Sequence, residues 1–343
     1  MKTIDGCQGE GGGQIFRSAL TLAMCLGEPV TLINIRAGRK KPGLLRQHLT
    51  CLRAAQQIAC AQVEGAELGS REVVFRPGEI NQGKYRFSVG SAGSTTLVAQ
   101  TILLPLALAD GESEVTLEGG THNPLAPSFD FLQQSFLPLM DRMGFRLSAH
   151  LERYGFHPAG GGCWCLKIAA RHALPEYHPG LHLLTRGELQ QRKAVAISAR
   201  LPRHIAEREM LQVQKRAGWN GTETRVREVE SVGPGNLVSV SLGFKNITSV
   251  FEVPGEHRLS AERVADKAVN AMRRYDSSTA VVEEFLADQL LLPMLFSGGG
   301  SFTTGEPSLH TRTNADVIYQ LTGMRIEIEP QENHAWKISV PAI

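Results

Sequence analysis

The 343-residue sequence has no long apolar run and no leader-like start. A membrane-spanning helix needs roughly 20 consecutive apolar residues, and no stretch of the chain reaches that length. The first residues, MKTIDGCQ, have no apolar core of the kind that a secretory signal contains. We therefore expect a protein that contacts no membrane and works in the cytoplasm.

A large charge excess is also missing, because 36 basic residues stand against 34 acidic ones, for a net charge of +2. Proteins that wrap duplex nucleic acid carry an excess of Lys and Arg over a whole face, so that class is disfavoured. A local basic patch could still hold a single phosphate end. The sequence also has no aromatic RNA-stacking motif, which disfavours a plain RNA-binding module.

Cysteine is scarce and never occurs as a CxxC pair. The six cysteines are Cys7, Cys25, Cys51, Cys60, Cys163 and Cys165. Their spacings do not suit a zinc site. We interpret all six as buried, reduced thiols, as is typical of a cytosolic protein.

What the sequence does contain is an internal repeat. AQTILLPLALADGESEVTLEGG (99–120) resembles ADQLLLPMLFSGGGSFTTGEP (287–307), and residues 19–38 form a weaker copy. Each copy predicts a helix followed by a strand that ends in glycine. Since one such unit cannot bury its sheet face alone, we predict an α/β (α+β) main domain of three units, with helices packed on small sheets.

The segment from 181 to 275 breaks this rhythm. It has its own predicted strands and helices, and polar, turn-rich stretches flank it. The chain is also longer than one compact domain usually is. We predict a smaller α/β domain at 181–275, inserted between repeats two and three, with 1–180 and 276–343 as the main catalytic domain.

A glycine-rich loop, GCQGEGGGQ (6–14), enters the first predicted helix. No GK[ST] follows it and position 14 is Gln, so it fits neither a Walker A loop nor the GxGxxG fingerprint. Glycine backbone at a helix N-terminus can bind an anion, but a tight turn that requires positive φ explains the loop equally well. Glu10 would repel a phosphate unless a divalent cation lay between them.

Three further stretches carry candidate chemistry. IRAGRKKPGLLRQH (35–48) places arginines on a loop between a strand and a helix, where they suit a phosphate, although a solvated loop is the plainer interpretation. GEPSLHTRTN (305–314) places His310 at a helix start, as a nucleophile, a base or a structural cap. EEFLADQLLLP (283–293) places Asp288 and Gln289 inside a helix, where they need polar partners.

Together these stretches resemble the RNA 3′-terminal phosphate cyclases over nearly the whole chain. The similar blocks, in the family's order, are DGCQGEGGGQIFRSAL, IRAGRKKPGLLRQHL, VGSAGSTTLVAQTILLP, GGTHNPLAPSFDF, RYGFHPAGGG, LPRHIAERE and FLADQLLLP. The family's fold, three α/β repeats plus an inserted smaller domain, agrees with the organisation inferred above.

The resemblance implies an ATP-dependent, ligase-type nucleotidyl transferase. Such enzymes use a divalent metal (Mg²⁺ or Mn²⁺) to convert an RNA 3′-terminal phosphate into a 2′,3′-cyclic phosphate. The reaction passes through a covalent histidine–AMP adduct, here on His310, and an RNA(3′)pp(5′)A intermediate. Glu10 matches the metal contact. The nucleotide-binding positions are Gln100, Pro127, Phe285, Leu286, Ala287, Asp288 and Gln289. The positions that hold the RNA phosphate end are Gln14, Arg17, Arg36, Arg39 and Gln47.

The partner so implied is an RNA with a 3′-phosphate end, and a homodimer is left open. The main alternative is a catalytically inactive, cyclase-like ribosome-assembly factor. Such relatives lack the nucleophile, so the presence of His310 and Glu10 favours the enzyme. A transferase of the enolpyruvyl class shares the repeated architecture by analogy only. Relatives often carry Tyr or His where this chain has Phe285, which keeps stacking on adenine but loses a hydrogen bond.

Overall fold

The first repeated unit is a four-stranded sheet covered by two helices. The computed structural model describes residues 1–170 and 180–343. The elements of the first unit are β1 (Lys2–Asp5), α1 (Gly13–Leu26), β2 (Val30–Ile33), α2 (Arg46–Ile58), β3 (Gln62–Glu64) and β4 (Val73–Arg76). The strand order is β1-β2-β4-β3, with β1 and β2 parallel and the other pairs antiparallel. Helix α1 is buried along most of its length and ends at Gly27, whose φ of 66° closes it in the left-handed region.

The second unit repeats this plan. Its elements are β5 (Lys84–Ser88), α3 (Thr95–Ala107), β6 (Ser113–Gly119), α4 (Phe129–Phe131), a π-helical turn (Leu132–Phe136), α5 (Leu137–Arg142), β7 (Leu147–Arg153) and β8 (Gly162–Ile168). The order is β5-β6-β8-β7, again with the first two strands parallel. The side chain of Ser94 caps α3, and that of Ser128 caps α4.

A different sheet follows the short strand β9 (Leu181–Leu183). Its elements are β10 (Leu189–Ala199), α6 (Arg203–Ala217), β11 (Thr224–Glu228), β12 (Gly235–Phe244), β13 (Thr248–Pro254) and α7 (Ala261–Asp276). The order is β11-β10-β12-β13. Apolar side chains of α6, α7 and the sheet form a core separate from the main one. We call this part the inserted sheet.

The third unit closes the chain. Its further elements are α8 (Glu284–Leu295), β14 (Gly300–Thr304), α9 (Leu309–Thr322), β15 (Glu327–Pro330), a 3₁₀ turn (Glu332–His334) and β16 (Trp336–Val340). Strand β9 pairs parallel with β14, which gives the order β9-β14-β16-β15. Leu181–Leu183, placed by sequence in the inserted domain, therefore lies in the third sheet, and the inserted sheet follows the first strand of this unit.

The three units share one strand order and one continuous apolar core. Helices α3 and α8 each contain a proline near their C-terminal end, Pro105 and Pro293, as the sequence repeat requires. The predicted α/β fold class of three helix-covered small sheets with an inserted α/β segment is thus confirmed. The domain limits themselves stay a prediction, and most of the polar edge predicted at 171–182 lies outside the described residues.

The cysteine interpretation needs a correction. All six thiols are free, but Cys7 and Cys60 are exposed, and Cys25 and Cys165 are only partly covered. Cys7 lies in the glycine loop, where bare backbone offers little side-chain cover. Within the described residues, no helix combines the length and the apolar character needed to cross a membrane.

Candidate active site

Helices from all three repeated units meet at one cavity of about 450 Å³. Helix α1 packs on α3 and α9, and α8 packs on α9, so the four helices surround a common space. The predicted site residues that line it are Gln14, Arg17, Gln100, Pro127, Phe285, Asp288, Gln289 and His310. The opposite wall comes from β12 and β13 of the inserted sheet. Residues far apart in sequence thus share one site because the repeats pack around it.

A hydrogen-bonded chain runs from His310 through Gln14 to Asp288. Gln14 Oε1 lies 2.6 Å from His310 Nδ1, and Gln14 Nε2 donates to Asp288 Oδ2 at 2.5 Å. Because the carboxylate accepts from the amide nitrogen, the amide oxygen must face the histidine. An oxygen can only accept, so Nδ1 carries the ring proton and Nε2 keeps its lone pair. The arrangement therefore leaves Nε2 as the ring atom with a free lone pair.

The pKa of Asp288 is subject to two opposing influences, its burial and a nearby buried cation. Burial raises its pKa to about 7, while the positive charge of Arg17 acts in the opposite direction. Burial in turn lowers the pKa of Arg17, although Asp288 and Glu10 counteract this. Asn314 Nδ2 donates to the Asp288 carbonyl oxygen at 2.8 Å, which ties α9 to α8 beside the histidine. Around neutral pH the charge of the Asp288 carboxyl, the last group in this hydrogen-bonded series, is therefore sensitive to its surroundings.

The glycines of the loop occur for two different reasons, backbone conformation and the closeness of neighbouring side chains. Gly9 and Gly11 have φ values of 54° and 58°, in the left-handed region that favours glycine. Gly12 and Gly13 instead lie against side chains, which would have to shift if either residue carried a Cβ. A Cβ on Gly12 would lie 2.7 Å from Arg39 Nη2, and one on Gly13 would lie 2.8 Å from Arg17 Nη1 and collide with the imidazole of His48. The loop is bare because charged side chains crowd against it.

Glu10 is paired with a cation. Its side chain is 5% exposed, and its Oε2 lies 2.6 Å from Arg39 Nη2, while Oε1 accepts from the Gln14 backbone nitrogen at 3.1 Å. Arg39 also donates to the Glu10 carbonyl oxygen at 2.8 Å. No group of three or more metal-binding side chains occurs within 1–170 and 180–343. A lone carboxylate still fits Mg²⁺ or Mn²⁺, since such ions bind through one or two carboxylates plus substrate phosphates and water.

Of the residues predicted to hold the RNA phosphate, only Gln14 and Arg17 line the cavity. Arg36 donates to the carbonyl oxygens of Lys41 and Gly43 at 2.6 and 2.9 Å, which braces its own loop. Gln47 Oε1 accepts from the Ser94 backbone nitrogen at 2.8 Å, at the start of α3. These two side chains stabilise the loops that frame the site.

The predicted nucleotide-binding positions also fall into two groups, those that line the cavity and those that do not. Phe285 is 67% exposed at the cavity wall, where a flat base can stack on it. Gln289 accepts a hydrogen bond from Gln100, which joins α8 to α3. Leu286 and Ala287 are buried in the core, so they can meet a ligand only through backbone atoms.

Two further residues at the site were not among the predicted site residues, although each lies in a stretch that the sequence analysis singled out. Thr313 Oγ1 accepts from the Glu10 backbone nitrogen at 3.0 Å, and its position beside Asn314 in HTRTN is the one clue. Burial, with the charges of Arg17 and Arg36, lowers the pKa of His48 to about 3. His48 is therefore neutral, and its Nδ1 accepts from the Leu45 backbone nitrogen at 3.2 Å. A buried neutral ring next to Arg17 leaves that cation free for other partners.

Comparisons with known proteins agree with the sequence resemblance. The family model described as RNA 3′-terminal phosphate cyclase matches residues 8–328. An RNA 3′-terminal phosphate cyclase from Koribacter versatilis (strain Ellin345) is 48% identical over 336 residues, which cover 98% of this chain and 94% of that protein. Both matches include the inserted sheet and most of the repeated units.

Proposed function

The chain belongs to the RNA 3′-terminal phosphate cyclase family, and on that premise we propose that it converts an RNA 3′-terminal phosphate into a 2′,3′-cyclic phosphate with ATP. The observation that carries the proposal is the contact of His310 with Gln14, backed by Asp288, at the wall of the shared cavity. A histidine whose Nδ1 proton is fixed has its Nε2 ready for attack.

The first step is attack of His310 Nε2 on the α-phosphorus of ATP. A nitrogen–phosphorus bond forms, the bond to the β-phosphate oxygen breaks, and pyrophosphate leaves. The ring becomes positively charged during this step. Gln14 Oε1 accepts from Nδ1–H, and the ionised Asp288 beyond it stabilises the new charge at hydrogen-bond distance through the amide. The hydrogen bonds among His310, Gln14 and Asp288 thus stabilise the ring most as the nitrogen–phosphorus bond forms and the positive charge develops.

The next steps transfer AMP to the RNA and close the ring. An oxygen of the RNA 3′-phosphate attacks the AMP phosphorus, the bond to His310 breaks, and RNA(3′)pp(5′)A forms. The 2′-hydroxyl oxygen then attacks the 3′ phosphorus, its proton passes to solvent, and AMP leaves. A phosphate monoester has a poor leaving group, and the attached AMP supplies a good one. Arg17, which lines the cavity, can hold the phosphate oxygens with its planar guanidinium.

Glu10 is the residue that would hold a divalent cation together with the ATP phosphates. When bound, such an ion supplies positive charge against the phosphate oxygens. Arg39 must leave Glu10 for the carboxylate to serve in this way, and its freed guanidinium then lies beside the loop where the RNA phosphate enters. Arg39 and Glu10 would therefore exchange partners when substrates bind.

The test uses ATP labelled at the α-phosphate. The protein is incubated with labelled ATP and a divalent metal, and the adduct is then chased with RNA that ends in a 3′-phosphate or, as control, a 3′-hydroxyl. We expect labelled protein that only the phosphate end discharges, and a product end that resists phosphatase. If no adduct forms under any metal, the proposal fails and the inactive assembly-factor alternative is favoured.

A further inference from the structure

Two consecutive buried polar residues follow His310 on α9, and the proposed chemistry uses neither of them. They are Thr313 and Asn314, which are 3% and 2% exposed. They lie three and four residues beyond His310, so they share the helix face that carries the imidazole, one turn further along. Polar side chains at this depth need partners, and the two residues have theirs in different parts of the fold.

Thr313 contacts the glycine loop at the residue that carries the predicted metal contact. Its Oγ1 accepts a hydrogen bond from the Glu10 backbone nitrogen at 3.0 Å. The loop also packs directly on this side chain, because a Cβ added to Gly9 would collide with Oγ1 and Cγ2 of Thr313. Thr313 therefore fixes the backbone from which the Glu10 carboxylate extends.

Asn314 contacts α8 at Asp288. Its Nδ2 donates to the Asp288 carbonyl oxygen at 2.8 Å, whereas its buried Oδ1 has no hydrogen-bond partner among the described residues. The amide nitrogen must face the carbonyl oxygen, since two oxygens cannot share a hydrogen bond without a proton between them. A buried acceptor without a donor lowers stability, and an apolar side chain would avoid that cost. The useful part of Asn314 is thus its bond to Asp288.

The two contacts converge on Gln14, which touches both acids and the histidine. Glu10 Oε1 accepts from the Gln14 backbone nitrogen at 3.1 Å, and Asp288 Oδ2 accepts from Gln14 Nε2 at 2.5 Å. The other end of the Gln14 amide faces His310. One turn of α9 therefore carries the imidazole and both of the bonds that hold the neighbouring acids, which keeps the three groups in a fixed arrangement.

We propose that Thr313 and Asn314 are positioning residues, which place the carboxylates of Glu10 and Asp288 relative to His310 by holding the backbone of each acid. Thr313 acts through Glu10 on the requirement for a divalent cation, and Asn314 acts through Asp288 on the histidine. The inference rests on the proposed function, because it takes His310 as the nucleophile and Glu10 as the residue that holds the cation.

The test of Thr313 is a titration with Mn²⁺. Thr313→Val keeps the shape of the side chain and removes the acceptor for the Glu10 nitrogen. The measurement is binding of the α,β-methylene analogue of ATP, which the proposed attack on the α-phosphorus cannot cleave. The Mn²⁺ concentration at half-maximal binding should rise about tenfold, as for loss of a residue that orients a metal ligand. Thr322→Val, which removes an acceptor from the Met324 backbone nitrogen, also at 3.0 Å, on the last turn of α9, is the matched control and should titrate as wild type.

The test of Asn314 is a double-mutant cycle with Asp288. Asn314→Ala should slow formation of the labelled adduct about tenfold and leave the Mn²⁺ requirement unchanged. In the Asp288→Asn background the same change should slow it by less than about twofold, because the carboxylate through which Asn314 acts is already gone. The ring-nitrogen NMR signals of His310, identified by their loss in His310→Ala, should show the Nδ1–H tautomer in the wild type and a mixture of tautomers in Asn314→Ala.

The outcomes separate this inference from the proposed function. If both variants change the Mn²⁺ requirement and the rate alike, or if Asn314→Ala acts equally strongly in the two backgrounds, the residues only stabilise α9 and the inference is wrong. It is equally wrong if neither variant has an effect while the wild type forms the adduct. If the wild type forms no adduct, the cyclase chemistry fails, and the Mn²⁺ titration and the His310 tautomer still decide the positioning roles.

Discussion

The two ends of the cavity are built on opposite principles. At the reactive end, polar side chains from α1, α8 and α9 are hydrogen-bonded to each other. Glu10 is paired with Arg39, and the positive charge of Arg17 acts on Asp288. At the far end, on the wall that β12 and β13 supply, burial raises the pKa of the half-buried Glu252 to about 8, and the charge of Asp130 raises it as well. The reactive end is suited to ionised groups and the far end to neutral ones. This difference is what a nucleotide requires, because its phosphates are charged and its base is not.

The largest predicted effect comes from removal of the proposed nucleophile, His310, which changes the reactive end of the cavity and leaves the other end intact. His310→Ala should abolish transfer of label from α-labelled ATP to the protein, because no other group replaces the ring nitrogen. Affinity for the α,β-methylene analogue of ATP should change by no more than about fivefold, since the base end is untouched. Gel analysis of the labelled protein and a binding titration measure the two effects, with exposed His150→Ala as control. A variant labelled as well as wild type would remove His310 from the mechanism.

The second prediction concerns the negative charge behind the histidine. Asp288→Asn should slow adduct formation by about 10- to 100-fold, the worth of a hydrogen bond to a charged group. Because the pKa of Asp288 is raised to about 7, the wild-type rate should fall as the pH drops below that value and the carboxylate is protonated. The variant should lose this part of the profile. Single-turnover rates between about pH 5.5 and about pH 8.5 measure it, and an unaltered rate in the variant would show that the charge at this end is dispensable.

The third prediction uses the crowding at the loop. Gly13→Ala places a methyl group 2.8 Å from Arg17 Nη1 and against His48. The guanidinium must move, so discharge of the adduct by RNA with a 3′-phosphate should slow by about tenfold, as for a displaced charged hydrogen bond. Gly221→Ala, where an added Cβ meets nothing within 4 Å, is the control. Equal discharge rates in the two variants would mean that the reactive end tolerates a shift of Arg17.

The sequence predicted the reactive end better than the far end, for a physical reason. The glycine loop and the stretch around His310 use residue types and spacings that mark anion sites and helix starts, and these signals are local. The contact of His310 with Gln14 joins positions 296 residues apart, and only the packing of α1 on α9 creates it. Glu252 lies in a β-strand, VFEVP, with no motif around it. Its position is set by the inserted sheet, which the sequence predicted as a unit but could not orient.

The role of an individual polar side chain could not be inferred from its residue type alone. Arg36 and Gln47 match positions proposed to hold a phosphate, yet their present partners are backbone groups of the surrounding loops. A sequence cannot tell an arginine that braces a loop from one that binds a ligand, because both need the same donors. The assignment of these residues to the RNA phosphate therefore stays a prediction.

The smallest predicted effect is on stability, and it concerns Glu283, whose side chain caps the start of α8. Glu283 Oε2 accepts from the Phe285 backbone nitrogen at 2.9 Å, but its buried Oε1 has no hydrogen-bond partner among the described residues. Its pKa is raised from 4.5 to about 8 by burial, so between these values the folded protein binds more protons than the unfolded chain. The free energy of unfolding must then fall as the pH rises through that window, and the penalty is complete above about pH 8.

Glu283→Gln removes this proton linkage while it keeps the shape and the acceptor for the start of α8. The drop in Tm from about pH 5 to about pH 8.5 should therefore be smaller in the variant than in the wild type, by about 1 to 2 °C for each kcal/mol of linkage removed. The neighbouring exposed acid gives the matched control, and Glu284→Gln should keep the full drop. If both variants lose stability with pH as the wild type does, burial does not hold Glu283 in its neutral form in the folded protein, and the inferred proton linkage is wrong.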